Sequence, residues 1–131
     1  MAESSGSPLV SIDHQAVVVR RGSRSGVYTV IAVHSTVLGP ALGGCRMSSY
    51  ESAAEAVRDA LRLSRGMTYK SAAAGLPLGG GKGVIAIQAG VDRDAMLLDL
   101  ADSIESLDGL YITAEDVGTN PADMELIHTR T

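Results

Sequence analysis

Apolar residues at the start of the chain fall in short β-branched blocks. Gln15 to Arg20 and Val27 to Val33 are two such runs, and the Gly and Ser residues of Arg21 to Gly26 suit a turn between them, so the pattern predicts a β-hairpin. The period then changes. Ser52 and Glu55 have the spacing of a capping box, and Ala53, Val57, Ala60 and Leu61 recur at helical intervals as far as Gly66. Met67 to Ala74 predicts a second short helical piece, which Gly75, Pro77 and Gly79 to Gly81 end before strand composition returns at Val84 to Ile87. Asp92 can cap a helix whose apolar face is Leu97, Leu100, Ala101, Ile104 and Leu107. Tyr111 to Thr113 follows as a short strand with Asp116 beyond its end, and Asn120-Pro121 opens a last helix through Met124 and Ile127.

Leu38 to Tyr50 fits neither period. With Gly39-Pro40 and Gly43-Gly44 it predicts a loop whose main-chain amides can approach a ligand. Residues 1–13 are polar and predict a flexible N-terminus, leaving 14–131 as one domain. Strands and helices alternate after an initial hairpin, which predicts an α/β fold with a mixed sheet in preference to an all-parallel one.

Composition narrows the function classes. At 45% hydrophobic and 20% charged, the 131 residues have the make-up of a folded globular domain. The net charge of -4, with no basic cluster, gives nucleic acid no electrostatic footing. The N-terminus has no signal-like apolar stretch and no tract is apolar enough to span a membrane, and a single Cys45 excludes an internal disulfide and a cysteine zinc cluster. Together these predict a cytoplasmic protein. All four aromatic residues are Tyr, so any pocket is expected to be aliphatic.

The densest chemical signal is Gly79-Gly80-Gly81-Lys82-Gly83. A phosphate loop would need glycine where Leu76 stands and Ser or Thr where Gly83 stands, and no Gly-x-Gly-x-x-Gly opens a strand-to-helix unit, so no nucleotide site is predicted. What remains is a lysine among glycines at the mouth of a strand, with Lys70 twelve residues earlier. Two ammonium groups converging on one cleft would lower each other's pKa. A lysine lowered in that way can accept a proton from water while its neighbour pairs with a substrate carboxylate. Asp116 supplies the complementary carboxylate, with Glu115 beside it as the rival. Most lysines are solvated surface residues, and most Asp residues at such positions are turn or cap residues. His14, His34 and His128 share no metal-ligand spacing, and no metal site is predicted. From the residues alone the reading stops at a small α/β domain with a glycine-lined site for an anionic ligand.

The run Leu38 to Met47 (LGPALGGCRM), then Arg62 to Lys70 (RLSRGMTYK), Gly75 to Lys82 (GLPLGGGK) and Thr113 to Thr119 (TAEDVGT), resembles the N-terminal domain of the Glu/Leu/Phe/Val dehydrogenases, the leucine, valine and phenylalanine enzymes above all. The resemblance implies that Lys70 grips the α-carboxylate of an amino acid or 2-oxo acid, helped by amides near Gly43 and Gly44. It implies that Lys82 activates water for attack on an imine, and that Asp116 carries protons to and from the substrate nitrogen. Leu42, Gly43, Met67 and Ala114 would line a side-chain pocket suited to a branched aliphatic group. It further implies a homo-oligomer, and NAD bound by a Rossmann domain that this sequence does not contain. Three departures stand out: Cys45 where the family has Thr, Ile85 to Ala89 without Gly-Asp-Pro, and an end at Thr131 ahead of the nucleotide domain.

The leading expectation is therefore the substrate-binding catalytic half of an NAD-dependent amino-acid dehydrogenase. It would convert a branched-chain or related amino acid to a 2-oxo acid with a nucleotide-binding domain supplied in trans by a second chain, and would bind no cofactor alone. The alternatives are a stand-alone non-redox enzyme, for imine hydrolysis or proton transfer beside a carbonyl, and an oligomerisation or scaffold module.

Overall fold

The structure is a computed structural model that describes residues 12–131. The expected flexibility of 1–13 falls mostly outside the described residues; Asp13, which is described, accepts from Arg65 at 2.8 Å and lies 3.2 Å from His34. Five strands and three helices follow in the order β1 (Ala16–Arg21), β2 (Tyr28–Ser35), β3 (Ala41–Ser48), α1 (Ala53–Ala73), β4 (Gly79–Ala86), α2 (Arg93–Ser106), β5 (Tyr111–Glu115) and α3 (Pro121–His128). One mixed sheet has the order β1-β2-β4-β3-β5. The β1–β2 hairpin and the β2–β4 pair are antiparallel, and β3 pairs in parallel with both β4 and β5.

Handedness places the helices. The crossover from β3 through α1 to β4 runs one way across the sheet, and that from β4 through α2 to β5 runs back over β3. Right-handed connections in opposite directions put their helices on opposite faces. α1 accordingly packs on β2 and β4, closing a small core of Val30, Ala32, Ala56, Ala60, Leu61 and Val84. The larger core lies on the other face, where Ile31, Val33, Cys45, Ile85 and Tyr111 meet Leu97, Leu100 and Ile104 of α2 and Ile127 of α3. On the α1 face, β3 and β5 are left without a helix above them.

Three expectations about elements are corrected. The stretch read as a loop, Leu38 to Tyr50, contains β3 (Ala41–Ser48), a strand paired with β4 and, from Ala41 to Cys45, with β5 as well. Its paired glycines mark close backbone approach within a sheet: a Cβ on Gly43 would stand 1.6 Å from the Gly81 carbonyl oxygen. The two predicted helical pieces are a single helix through Gly66. An internal glycine costs a helix only about 1 kcal/mol, and burial of Ser64 and Ser71 in the turns on either side keeps the helix going. Strand β4 begins at Gly79, so Lys82 is an interior strand residue with glycines on both sides. The caps fall as expected, with Ser52 accepting from Glu55, Asp92 from Ala95, and Asn120 and Asp123 forming a reciprocal box under Pro121.

Candidate active site

Strand alternation assigns the candidate residues to faces. In β3 the odd positions Ala41, Gly43, Cys45 and Met47 are buried toward α2, and the half-buried Leu42, Gly44 and Arg46 point to the α1 side. In β5, Tyr111 and Thr113 are buried below, while Ile112 and Ala114 share the upper face with Leu42 and Gly44, their register partners being Leu42↔Ile112 and Gly44↔Ala114. Lys82 shares its face of β4 with Gly80 and Val84, under the flank of α1. The uncovered strip of β3 and β5 and the side of α1 thus make a step, with Lys82 in its angle.

Lys82 is 5% exposed, and its Nζ donates to Asp116 Oδ2. Glycine makes this contact possible. Asp116 folds back across β3 so closely that a Cβ on Gly44 would stand 2.7 Å from its Cβ and 2.8 Å from the Glu115 carbonyl oxygen. Gly80 serves in the same way for the helix, because a Cβ there would meet the Thr68 amide nitrogen at 2.1 Å.

The turn after β5 is fastened to β3. The Asp116 amide donates to Thr119 Oγ1 at 2.8 Å, Thr119 Oγ1 donates to the Cys45 carbonyl at 2.8 Å, and the Met47 amide donates to the Val117 carbonyl at 2.9 Å. Gly118 has φ +83°, and its carbonyl accepts from Arg93 Nη2 at 2.6 Å. Burial alone would push the Asp116 carboxyl up. Hydrogen bonds from Lys82 and the Val117 backbone, with the charges of Lys82 and Arg46, overcome this and hold it below the usual carboxylate range. The group is an anion facing a buried cation.

The structure therefore joins Lys82, Asp116 and Gly44 directly, with Leu42 and Ala114 on the same strip. Met67 is half-buried on α1 next to Thr68, the residue against Gly80. Lys70 stands exposed one turn further on, and its ammonium has no partner among the described residues. Gly43 faces downward by alternation, where Tyr111 donates to its carbonyl at 2.7 Å, and its main chain pairs with Thr113 of β5. Glu115 is exposed on the strand and makes no contact with Lys82.

Two contributors escaped the sequence reading. Arg46 Nε lies 3.3 Å from Asp116 Oδ2, and its Nη1 lies 3.5 Å from Asp59 Oδ2 on α1. Thr119 fixes the turn that carries Asp116. The signal for Arg46 was its alternation with Leu42 and Gly44, visible only once that stretch is a strand. Cys45 is fully buried, and burial pushes its thiol up to about 12, so it packs and does not react. His14 and His34 form a separate cluster with rings 4.8 Å apart, His14 against the Leu61 carbonyl and His34 against Thr68. Among the described residues no group of His, Cys, Asp and Glu is arranged to hold a metal ion, and no helix is long and apolar enough to cross a membrane.

Comparison with known proteins gives concordant matches. Residues 11–131 match the family model described as Glu/Leu/Phe/Val dehydrogenase, dimerisation domain. Leucine dehydrogenase of Thermoactinomyces intermedius is 53% identical over 120 residues, covering 91% of this chain and 33% of that protein. Valine dehydrogenase of Streptomyces coelicolor is 51% identical over 115 residues, covering 87% and 32%. The crystal structure of L-tryptophan dehydrogenase from Nostoc punctiforme superposes with a TM-score of 0.84 at 40% identity, covering 91% of this chain and 36% of that one. The chain spans about a third of the length of the curated relatives it matches.

Proposed function

Given that the chain belongs to the Glu/Leu/Phe/Val dehydrogenase family, through its dimerisation domain, we propose that it is the substrate-binding, proton-transferring part of an amino-acid dehydrogenase. The observation that carries this reading is the buried Lys82 paired with Asp116 beside an uncovered apolar strip. In it, the exposed ammonium of Lys70 takes the substrate α-carboxylate, and Leu42, Met67 and Ala114 take a branched aliphatic side chain, as befits relatives named for leucine and valine.

Asp116 and Lys82 are suited to passing protons. The proton on Lys82 can move to Asp116 along their contact, leaving a neutral amine that takes a proton from water as the water adds to an imine carbon. Asp116 then gives its proton to the nitrogen of the resulting carbinolamine and takes back the hydroxyl proton as the C–N bond breaks, releasing ammonia and the 2-oxo acid. This accounts for one polar role at each of the two buried or half-buried groups.

NAD, the expected cofactor of the complete enzyme, finds no fitting site among the described residues. Gly79 to Gly83 lie inside β4, where Gly80 to Gly83 pair with β2 and Gly79, Gly80 and Gly83 pair with β3, so this backbone belongs to the sheet and is not a helix-opening loop turned out toward a phosphate. In this reading the dinucleotide is held by a nucleotide-binding domain outside these residues, on the same polypeptide or on another. The description of the matching family model as a dimerisation domain makes a homo-oligomer part of the proposal.

Calorimetric titration with leucine, valine and their 2-oxo acids, and then with NAD, tests it. An amino or oxo acid should bind and NAD should not. Lys70→Ala should abolish acid binding while leaving stability within about 0.5 kcal/mol, as for other exposed substitutions. If no acid binds to the folded chain, the reading fails.

A further inference from the structure

Asp116 carries its charge in a half-buried position, and something has to fix which way its carboxylate faces. Lys82 approaches it from β4. Arg46, from β3, reaches the same Oδ2 atom at 3.3 Å, while its other end lies 3.5 Å from Asp59 Oδ2. Asp59 is itself held, since Tyr50 donates to its Oδ2 at 2.5 Å and Arg62 Nη2 to its Oδ1 at 2.7 Å. A chain of polar contacts thus runs from the N-terminal half of α1 through Arg46 to the site, spanning the open side of the strip.

We infer that Arg46 is a positioning residue for Asp116, anchored on α1 by Asp59, and that it keeps the carboxylate turned toward Lys82 over Gly44. The inference rests on the dehydrogenase reading for its significance, but its geometry stands without a substrate. Arginine suits the task because its planar fork can engage two carboxylates at once, whereas a lysine offers one point of charge. Asp59 is only 17% exposed at its side chain and Arg46 23%, so water screens this chain of contacts incompletely.

The charged groups facing Asp116 are Lys82 from β4 and Arg46 from β3. Cys45 and Tyr111 lie beneath the sheet, and burial pushes both upward so that they stay neutral. Arg46 faces Asp59 from α1 as well.

The test is carbon NMR titration of the Asp116 carboxyl in the 131-residue chain, free of ligand. In Arg46→Gln its midpoint should move up, in Arg46→Lys it should return part of the way, and in Asp59→Asn it should move up by less than in Arg46→Gln. The Thr119 amide signal should stay in place, as a purely structural role would not predict. An unmoved midpoint in folded Arg46→Gln would overturn the inference; should that variant fail to fold, an unmoved midpoint in Asp59→Asn would do the same. Because the titration uses no substrate, failure of acid binding would sink the dehydrogenase reading separately.

Discussion

Replacing Gly44 by alanine tests whether Asp116 is placed by the close approach of two backbones. The added Cβ would stand 2.7 Å from Asp116 Cβ, 2.8 Å from the Glu115 carbonyl oxygen and 3.2 Å from Asp116 Cγ. Carbon atoms in ordinary contact are about 3.5–4.0 Å apart, so the Asp116 side chain must retreat by about 1 Å. The turn cannot follow freely, because Thr119 ties it to the Cys45 carbonyl and Arg93 holds Gly118. Overpacking of this size costs about 1–3 kcal/mol and should lower the urea midpoint with an unchanged slope. In the proposed dehydrogenase, where Asp116 is a reacting group, a 1 Å displacement would be worth about 100-fold in turnover. The Asp116 carboxyl signal should shift even where the fold holds. Gly66→Ala is the control: apart from its chain neighbours and the backbone of its own helical turns, nothing lies within 4 Å of its Cβ position, and in a helix interior the change should stabilise by about 0.5–1 kcal/mol. If Gly44→Ala keeps both the stability and the Asp116 signal of the parent chain, the close-approach argument is wrong.

Other consequences can be measured on the same chain. Asp99, 4% exposed on α2, accepts from the amides of Arg24 and Ser25 and from Ser25 Oγ, and so holds the β1–β2 turn; Asp99→Ala should cost about 3 kcal/mol in urea unfolding. Burial pushes Asp59, Asp99 and Asp116 up, yet their hydrogen bonds and neighbouring cations hold all three below the usual carboxylate range. Such groups stabilise the fold above the unfolded carboxylate pKa and stop doing so as pH falls through their lower folded values, so the urea midpoint should drop below about pH 4. Asp99→Ala should make that drop shallower. Cys45 should resist alkylation at pH 8 in the folded chain and react once urea unfolds it; fast labelling of the native state would contradict its burial.

Local chemistry made the caps, the hairpin and the last helix legible in the sequence, because Asp92, Ser52 and Asn120-Pro121 act on their own neighbours. The elements that were misread depend on distant partners. Nothing near Gly43-Gly44 announces a strand, since the reason for glycine there is the Gly81 carbonyl on another strand and Asp116 some seventy residues on. Gly66 reads as a helix stop until α1 lies against β4. The motif resemblance singled out Lys82 and Asp116, which the structure brings together, but neither motif nor period indicated that Arg46 joins Asp116 to Asp59, a link that exists only once β3 sits beside α1.

The strand that bears Lys82 also limits how this site can change over evolutionary time. Gly80 is closed off by Thr68, Gly81 by the Tyr111 ring at 2.8 Å, and Gly83 by the Tyr111 hydroxyl at 2.9 Å, so β4 has no room to accept even a methyl group. If the proposed substrate site is right, shape diversity must enter from its neighbours: Leu42 on β3, Met67 on α1, and Ile112 and Ala114 on β5. A combinatorial library aimed at new side-chain preferences should randomise those four codons and leave residues 79–83 fixed, because a family of specificities can be drafted on the adjoining strands while the strand beneath the lysine remains a constant.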